Sequence, residues 1–286
     1  MATFIASDGV RLFYERRGRG PRVYVCGGGP ANDHRYMAED LAALGDEFEF
    51  VFVDYRGSGQ SETAPGSAYS IARLAADLDE LRVSLGDDKV VVLGHSMGGL
   101  VAQWFALTYP EDCDRIVLAG TFPATVPRTM LPPLLRALGW ARTRKMFTRG
   151  LWWLAAFSWR RRSEIKRRRL YAIWSTWQEG TPAHRFREVE REVRLGLPLH
   201  NDNVQALQRE FRSLSLIDRL STIPCPVLVL YGDRDAGAVW GARVFAEHVP
   251  DVRIVALPGI GHDPFFEALN ASADALRSFL ATPRQR

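Results

Sequence analysis

The chain has 286 residues, 47% of them hydrophobic, and a formal net charge of +4 at neutral pH. This composition is typical of a globular protein and excludes a disordered or fibrous chain, and the length fits one large α/β domain, with or without an insertion. No apolar stretch reaches the ~20 residues of a membrane span, and the N-terminal residues do not resemble a signal peptide. Three widely spaced cysteines form no disulfide framework or metal-ligand pattern, so we expect buried thiols in a reducing cytoplasm.

Strands and helices alternate through the first 121 residues. Runs rich in β-branched and aromatic residues predict strands at residues 3–5, 11–14, 23–25, 48–53, 89–93 and 116–120. Apolar spacing predicts helices at residues 33–44, 71–85 and 100–107, and glycines predict a turn at 16–21. This alternation is typical of a mostly parallel sheet with helices on both faces.

The alternation stops after Thr121 and returns near residue 221, with strands expected at 226–231 and 252–255 and helices at 239–248 and 265–280. The intervening segment is rich in Trp and Arg and reads as helical. From Arg128 to Arg219 there are 20 Lys/Arg and 8 Asp/Glu, a net +12, whereas the remainder carries −8. We therefore predict a core formed by residues 1–121 and 221–286, with an all-helical cap inserted at 122–220.

The sequence Gly94-His95-Ser96-Met97-Gly98-Gly99 lies between a predicted strand and a predicted helix. A Gly-x-Ser-x-Gly pattern in that context is typical of a nucleophile elbow, in which a strained turn exposes the serine. A Cβ at either outer glycine would collide with neighbouring backbone. The alternative is a glycine-rich turn with an incidental serine, and the flanking elements favour the elbow over it.

A serine hydroxyl needs a base to become nucleophilic, and that base needs an orienting carboxylate. His262 follows the last predicted strand and Asp235 follows the strand before it, so both are expected at the sheet edge where Ser96 emerges. Asp233 is a rival carboxylate that more naturally caps the turn at the strand exit. His95, within the elbow, is expected to have a packing or orienting role, and the remaining histidines, His34, His184, His200 and His248, to be structural or solvated.

Acyl transfer also requires donors for an oxyanion. The amide of Met97, directly after the nucleophile, is one candidate. The second is expected in the glycine loop at residues 27–29, with Gly28 preferred and Gly29 as the alternative. Neither a metal site nor a dinucleotide motif is indicated, so we expect no cofactor.

Taken together, these motifs resemble an α/β-hydrolase with a helical cap, and more narrowly the proline iminopeptidase group of serine peptidases. The order Ser96, Asp235, His262 is the order of that fold. The loop Cys26-Gly27-Gly28-Gly29-Pro30 and the stretch from Asp54 to Ser61 resemble two motifs of the group. The segment Trp174-Ser175-Thr176-Trp177-Gln178-Glu179-Gly180 is similar to its cap motif. The resemblance implies substrate contacts from Gly29 of the loop and from Trp174, Trp177, Gln178 and Glu179 of the cap.

The sequence departs from the peptidase pattern at informative positions. Cys26 replaces the loop histidine, and the elbow is that of esterases and C–C bond hydrolases. Gln178 replaces the glutamate that pairs with the substrate amine in peptidases, and Glu179 comes one residue late, about 100° around a helix. The resemblance therefore implies the fold and triad more strongly than an aminopeptidase specificity.

The cap is strongly basic and holds six of the eight tryptophans. Its arginines either coat the solvent face of cap helices or meet an anionic or carrier-bound acyl substrate in an aromatic pocket. We expect a small-molecule substrate, and no nucleic-acid or membrane partner. The sequence thus predicts a serine hydrolase for a small ester, thioester, lactone or amide. A C–C bond hydrolase, a non-hydrolytic lyase or cyclase, and a non-catalytic ligand receptor are the alternatives.

Overall fold

A computed structural model describes residues 2–29, 32–65, 68–124, 206–207, 209–211 and 213–282. Its centre is an eight-stranded sheet with the strand order β1-β2-β4-β3-β5-β6-β7-β8. The strands are β1 Ala2–Ile5, β2 Arg11–Gly18, β3 Arg22–Cys26, β4 Glu49–Val53, β5 Val90–His95, β6 Cys113–Ala119, β7 Val227–Gly232 and β8 Val252–Leu257. Only the pairings of β2 with β1 and with β4 are antiparallel, so the predicted mostly parallel sheet is confirmed.

Helices cover both faces of this sheet. They are α1 Arg35–Asp40, α2 Ile71–Ser84, α3 Met97–Thr108, α4 Ala236–His248, α5 Pro264–Glu267 and α6 Leu269–Ala281, with short 3₁₀ helices at Ala42–Leu44 and Ile217–Thr222. One buried cluster contains Val92 of β5 with apolar residues of α2, α3 and α4, and the other contains Leu93 with residues of α1 and α6. Successive side chains of a strand point to opposite faces, so β5 supplies both cores.

Several predicted boundaries differ from the structure. Strand β2 continues to Gly18, into the predicted turn, because Arg17 and Gly18 pair with β4. Helix α4 begins at Ala236 rather than residue 239, since the carboxylate of Asp235 caps its first amides. The last predicted helix is divided at Ala268, and the predicted helix at 33–44 is shortened to α1 and a 3₁₀ turn.

The predicted cap at 122–220 lies largely outside the described residues. At its two ends, Ala124 forms an isolated antiparallel bridge with Ser215, and the amide of Leu216 donates to the carbonyl of Pro123 at 3.0 Å. The chain therefore leaves and re-enters the core at one place, as an insertion between β6 and β7 requires. The helical character and the boundaries of the cap stay predictions.

Two sequence-based expectations concern membrane spans and thiols. Within the described ranges, no helix is both long and apolar enough to cross a bilayer. Cys26, Cys113 and Cys225 are buried, and the Sγ atoms of the last two are 3.7 Å apart. Burial raises the pKa of Cys26 to about 12, so this thiol stays protonated at neutral pH beside the glycine loop.

Candidate active site

Ser96 occupies the sharp turn between β5 and α3. Its φ of 52° and ψ of −117° make it the one non-glycine residue with positive φ among the residues that the structure describes. The surrounding backbone holds this conformation, because the amide of Ser96 donates to Ala119 at 2.9 Å and its carbonyl accepts from the Thr121 hydroxyl at 2.6 Å. A strained residue fixed by its neighbours is the geometry expected of a nucleophile elbow.

The two outer glycines of the elbow allow this close packing. A Cβ at Gly94 would overlap the carbonyl oxygen of Gly98, and a Cβ at Gly98 would overlap the carbonyl of Cys26. The predicted steric need for glycine at both positions is therefore confirmed. This packing brings the N-terminus of α3 against the loop that follows β3.

The structure brings together the three side chains predicted to form the triad. The Nε2 atom of His262 lies 2.9 Å from Oγ of Ser96, and its Nδ1 atom lies 2.6 Å from Oδ2 of Asp235. All three residues follow the carboxyl ends of parallel strands, where open α/β sheets place their ligand sites. The imidazole keeps about a quarter of its side-chain surface exposed.

Asp235 is held in its ionised form. Its second oxygen, Oδ1, caps α4 by accepting from the amides of Gly237 and Ala238 at 2.9 and 3.1 Å. Burial would raise the pKa of this carboxyl, but His262 and the two amides outweigh burial and lower it. An ionised carboxylate only accepts hydrogen bonds, so Nδ1 of His262 carries the proton, and Nε2 of a neutral ring accepts the Ser96 hydroxyl.

The loop carrying His262 is fixed by a second carboxylate. Glu267 accepts from the amide of Gly261 at 3.0 Å and from the amide of Asp263 at 3.2 Å, on either side of the histidine. The rival carboxylate predicted nearby, Asp233, instead accepts from the amide of Gly259 at 2.8 Å. The structure therefore joins His262 to Asp235 and uses Asp233 to close the turn.

Both candidate oxyanion donors lie next to Ser96. Met97 is the first residue of α3, where helix amides have no partner within the helix. A Cβ built at Gly28 would lie 2.9 Å from Cβ of Ser96, so this glycine lies against the nucleophile. The amide of Gly28 donates to the hydroxyl of Tyr36, while Gly29 follows with a φ of +67° beside Asn32.

A polar chain missed by the sequence analysis lies behind the glycine loop. The hydroxyl of Tyr36 is 2.9 Å from Nδ1 of His95, and Nε2 of His95 is 3.0 Å from Oδ1 of Asp263. The hydroxyl of Tyr55 donates to the carbonyl of Gly27 at 3.0 Å. Tyr55 lies in a motif noted in the sequence, whereas no sequence pattern marks Tyr36.

The motif at residues 54–61 has a structural role in this protein. The buried Asp54 accepts from the His34 amide and from the Gln60 amide, at 2.8 and 2.9 Å. Arg56 is fully buried between the carboxylates of Asp77 and Asp8. These contacts fix the loop that presents Tyr55 to the glycine loop.

Four of the predicted substrate contacts, Trp174, Trp177, Gln178 and Glu179, lie outside the described residues, as does the charged segment around them. Within the described part of the chain, no group of three or more His, Cys, Asp or Glu side chains is arranged to hold a metal ion. The described site is therefore made of a serine, an imidazole, a carboxylate and backbone amides.

Residues 21–269 match the sequence profile of the alpha/beta hydrolase fold. The chain belongs to the α/β-hydrolase fold family. The match covers most of the sequence, including β3 to β8 and all three residues of the Ser96, Asp235 and His262 arrangement. This confirms the family indicated by the elbow and by the order of these residues.

Individual relatives agree with this assignment. Proline iminopeptidase PfmaB from Pestalotiopsis fici is 32% identical over 130 residues, which are 43% of this chain and 45% of that protein. The putative carbamate hydrolase RutD from Shigella flexneri is 27% identical over 259 residues, or 84% of each chain. The crystal structure of a hydrolase from Pseudomonas aeruginosa PA01 superposes with a TM-score of 0.75 at 25% identity, covering 98% of both chains. The first of these confirms the resemblance to proline iminopeptidases.

Proposed function

We propose that this protein is a serine hydrolase that cleaves a small ester, thioester, lactone or amide through an acyl-enzyme. The observation that carries the proposal is the continuous hydrogen-bonded line from Ser96 through His262 to Asp235. Such a line lets a neutral imidazole take the serine proton while the carboxylate stabilises the imidazolium that forms. The strained backbone of Ser96 suits a nucleophile, and the ionised state of Asp235 suits a carboxylate that orients and stabilises the imidazole.

In the proposed reaction, Oγ of Ser96 attacks the substrate carbonyl carbon as its proton passes to Nε2 of His262. The tetrahedral oxyanion then collapses, the bond to the leaving group breaks, and His262 returns the proton to that group. Water, deprotonated by the same histidine, hydrolyses the resulting ester on Ser96 and regenerates the hydroxyl.

We assign one oxyanion donor to the amide of Met97, at the positive end of α3. The second comes from the glycine loop. Gly28 lies nearest to Ser96, but its amide already donates to Tyr36, so serving an oxyanion would require it to change partner. Gly29, the next amide along the loop, is the alternative.

The substrate class follows from the fold and from the relatives together. The names of the relatives include an iminopeptidase and a carbamate hydrolase, which indicate acyl groups bonded to oxygen or nitrogen. We propose a small-molecule substrate, anionic or carrier-bound, held beneath a helical cap at residues 122–220 to which Trp174, Trp177, Gln178 and Glu179 contribute. No cofactor takes part in the proposed reaction.

Labelling with a fluorophosphonate tests this proposal without knowledge of the substrate. Attack by Ser96 forms an oxygen–phosphorus bond, releases fluoride and passes the hydroxyl proton to His262. We expect mass spectrometry to locate the label on Ser96. Ser96→Ala should abolish labelling, and its hydrolysis of p-nitrophenyl acetate should fall by at least about 10⁴-fold.

Ser84→Ala is a suitable control, because Ser84 ends α2 with its hydroxyl bonded to the carbonyl of Leu81 and takes no part in the site. A panel of short p-nitrophenyl esters, aryl carbamates and prolyl or alanyl naphthylamides then distinguishes esterase, carbamate hydrolase and aminopeptidase activity. Full hydrolysis by Ser96→Ala would remove the proposed mechanism. Labelling of Ser96 without turnover of any member of the panel would favour C–C bond or non-hydrolytic chemistry.

A further inference from the structure

Two tyrosine hydroxyls hold a single peptide group beside the nucleophile. The carbonyl of Gly27 accepts from Tyr55 at 3.0 Å, and the amide of Gly28, which belongs to the same peptide bond, donates to Tyr36. A trans peptide directs its carbonyl and its amide to opposite sides, so these two bonds fix the rotation of the peptide plane. Both tyrosines are buried, at 4% and 7% exposure, which leaves water little access to replace either hydroxyl.

The direction of each hydrogen bond beyond Tyr36 can be worked out from the partners. Among the described residues, Nε2 of His95 faces two acceptors, Oδ1 of Asp263 at 3.0 Å and the carbonyl of His262 at 3.1 Å, so it carries a proton. In the neutral ring Nδ1 then accepts the Tyr36 hydroxyl at 2.9 Å, and the tyrosine oxygen is left to accept from Gly28. The bonds therefore run in one direction, from the glycine loop to the loop of the catalytic base.

The hydrogen-bonded side chains of Tyr36 and His95 connect three parts of the proposed catalytic site: the glycine loop, the turn at Ser96 and the loop of His262. His95 directly precedes Ser96, and a Cβ at Gly28 would lie only 3.0 Å from Nδ1 of His95. At the other end, the rings of His95 and His262 lie 5.0 Å apart between centroids. A small displacement of the Tyr36 hydroxyl would thus shift both the glycine loop and the loop that carries His262.

We propose that Tyr36 and His95 are positioning residues of the hydrolase. Tyr36, together with Tyr55, holds the Gly27–Gly28 peptide, and His95 couples that peptide to the loop of His262. Neither side chain is assigned contact with the substrate. The inference rests on the proposed function. In that reaction, the fixed Gly27–Gly28 peptide directs the next amide, that of Gly29, towards the developing oxyanion. Oxyanion donors act only when they are already in place, so loosening this peptide slows the chemical step more than it weakens binding.

Tyr36→Phe tests the proposal by removing one oxygen atom. Tyr24→Phe is the matched control, since Tyr24 is also buried and donates its hydroxyl to Asp87 at 2.5 Å, in contact with Arg22 and away from Ser96. The measurements are the second-order rate of fluorophosphonate labelling at Ser96, and kcat and KM for p-nitrophenyl acetate. His95→Phe, which keeps a ring and removes both nitrogens, serves as the second variant.

We expect Tyr36→Phe and His95→Phe to lower the labelling rate and kcat by roughly ten- to a hundred-fold, the scale of a ~1 Å misplacement, with KM changed by less than about two-fold. Tyr24→Phe should match the wild type in both rates. If Gly28 itself were the donor, Tyr36→Phe would release its amide and leave labelling unchanged or faster, which would overturn the proposal. An equal loss in Tyr24→Phe would do the same, because it would show a general effect of losing a buried hydroxyl.

The wild-type measurement separates this inference from the function on which it rests. Absence of labelling at Ser96 in the wild type would reject the hydrolase proposal, and the positioning role would fall with it. Normal labelling of the wild type together with normal labelling of Tyr36→Phe would reject the positioning role alone.

Discussion

Oδ2 of Asp235 lies 2.6 Å from Nδ1 of His262, although the two residues are 27 positions apart and follow different strands. The remaining oxygen of Asp235 is occupied by two amides of α4, so the carboxylate cannot rotate without losing a helix cap. The same side chain therefore begins a helix and orients the imidazole. This double use makes the orientation of His262 depend on the packing of α4 against the sheet.

Asp235→Asn should lower kcat about 10³- to 10⁴-fold with little change in KM, because an amide can donate to Nδ1 and favour the wrong tautomer of His262. Asp233→Asn is the matched control, since Asp233 contacts the amide of Gly259 rather than the histidine. Steady-state kinetics on p-nitrophenyl acetate measure both variants. Near-normal kcat in Asp235→Asn, or an equal loss in Asp233→Asn, would contradict the assignment.

Glu267→Ala should reduce kcat about ten-fold, because the two amides that flank His262 lose their common acceptor and the base is held less firmly. Each partly buried amide left without a partner costs about 1–3 kcal/mol, so the free energy of unfolding should also fall. Glu267→Gln keeps one acceptor oxygen and should lie between Ala and wild type. Urea unfolding and ester kinetics provide the two measurements.

Glu47→Ala is the control for that experiment, because Glu47 forms an exposed pair with Arg277 on the surface. It should leave kcat unchanged and alter the stability little, as isolated surface ion pairs do. If Glu267→Ala were as active as Glu47→Ala, the fixed position of the histidine loop would not matter for turnover.

The buried His34 should make stability depend on pH. Its ring contacts Asp54 and Glu15, each at 2.9 Å, and these carboxylates, with Asp33 nearby, outweigh burial and raise its pKa above the ordinary 6.5. Because the pKa of this imidazole is higher in the folded than in the unfolded protein, its protonation stabilises the fold. This stabilisation is fully present below the pKa of the unfolded state and is lost as the pH rises through the pKa of the folded state. Arg17 also contacts Glu15, at 2.9 Å.

We therefore expect the difference in unfolding free energy between wild type and His34→Gln to be greatest near about pH 6 and to shrink towards about pH 9. Urea unfolding across that range measures it. His248→Gln, at a partly buried histidine that contacts the carbonyl of Val244, controls for the loss of an ordinary imidazole. A difference that grew with pH would show that His34 is held neutral.

Local patterns were enough to predict the turn at Ser96 and the succession of strands along the chain. Gly94, Ser96 and Gly98 lie within five positions, and their steric requirements act over one turn of backbone. The pairing of His262 with Asp235 was predicted because each follows a strand whose carboxyl end meets the same sheet edge. Contacts that depend on strand topology can thus be predicted across 166 positions, the separation of Ser96 and His262 in the sequence.

Other features depended on contacts that no local pattern encodes. Tyr36 lies in a short helix of ordinary composition, and its contact with His95 exists only once α1 packs against β5. The end of β2 at Gly18 was missed because its pairing with β4 overrides the turn preference of glycine. The interruption of the last helix at Ala268 was not predicted, because the apolar spacing continues through it. In the structure, the hydroxyl of Ser272 donates to the carbonyl of Pro264 across this interruption.

The bridge between Ala124 and Ser215 has an evolutionary consequence. A segment whose two attachment points are neighbours can be lengthened, shortened or exchanged without shifting the register of β6 against β7. Under the proposed function, changes in this segment would therefore alter ligand recognition while Ser96, Asp235 and His262 keep their geometry. Under the same proposal, a graft of this segment from a relative at the junction of Ala124 and Ser215 should change the preferred substrate without changing the reaction.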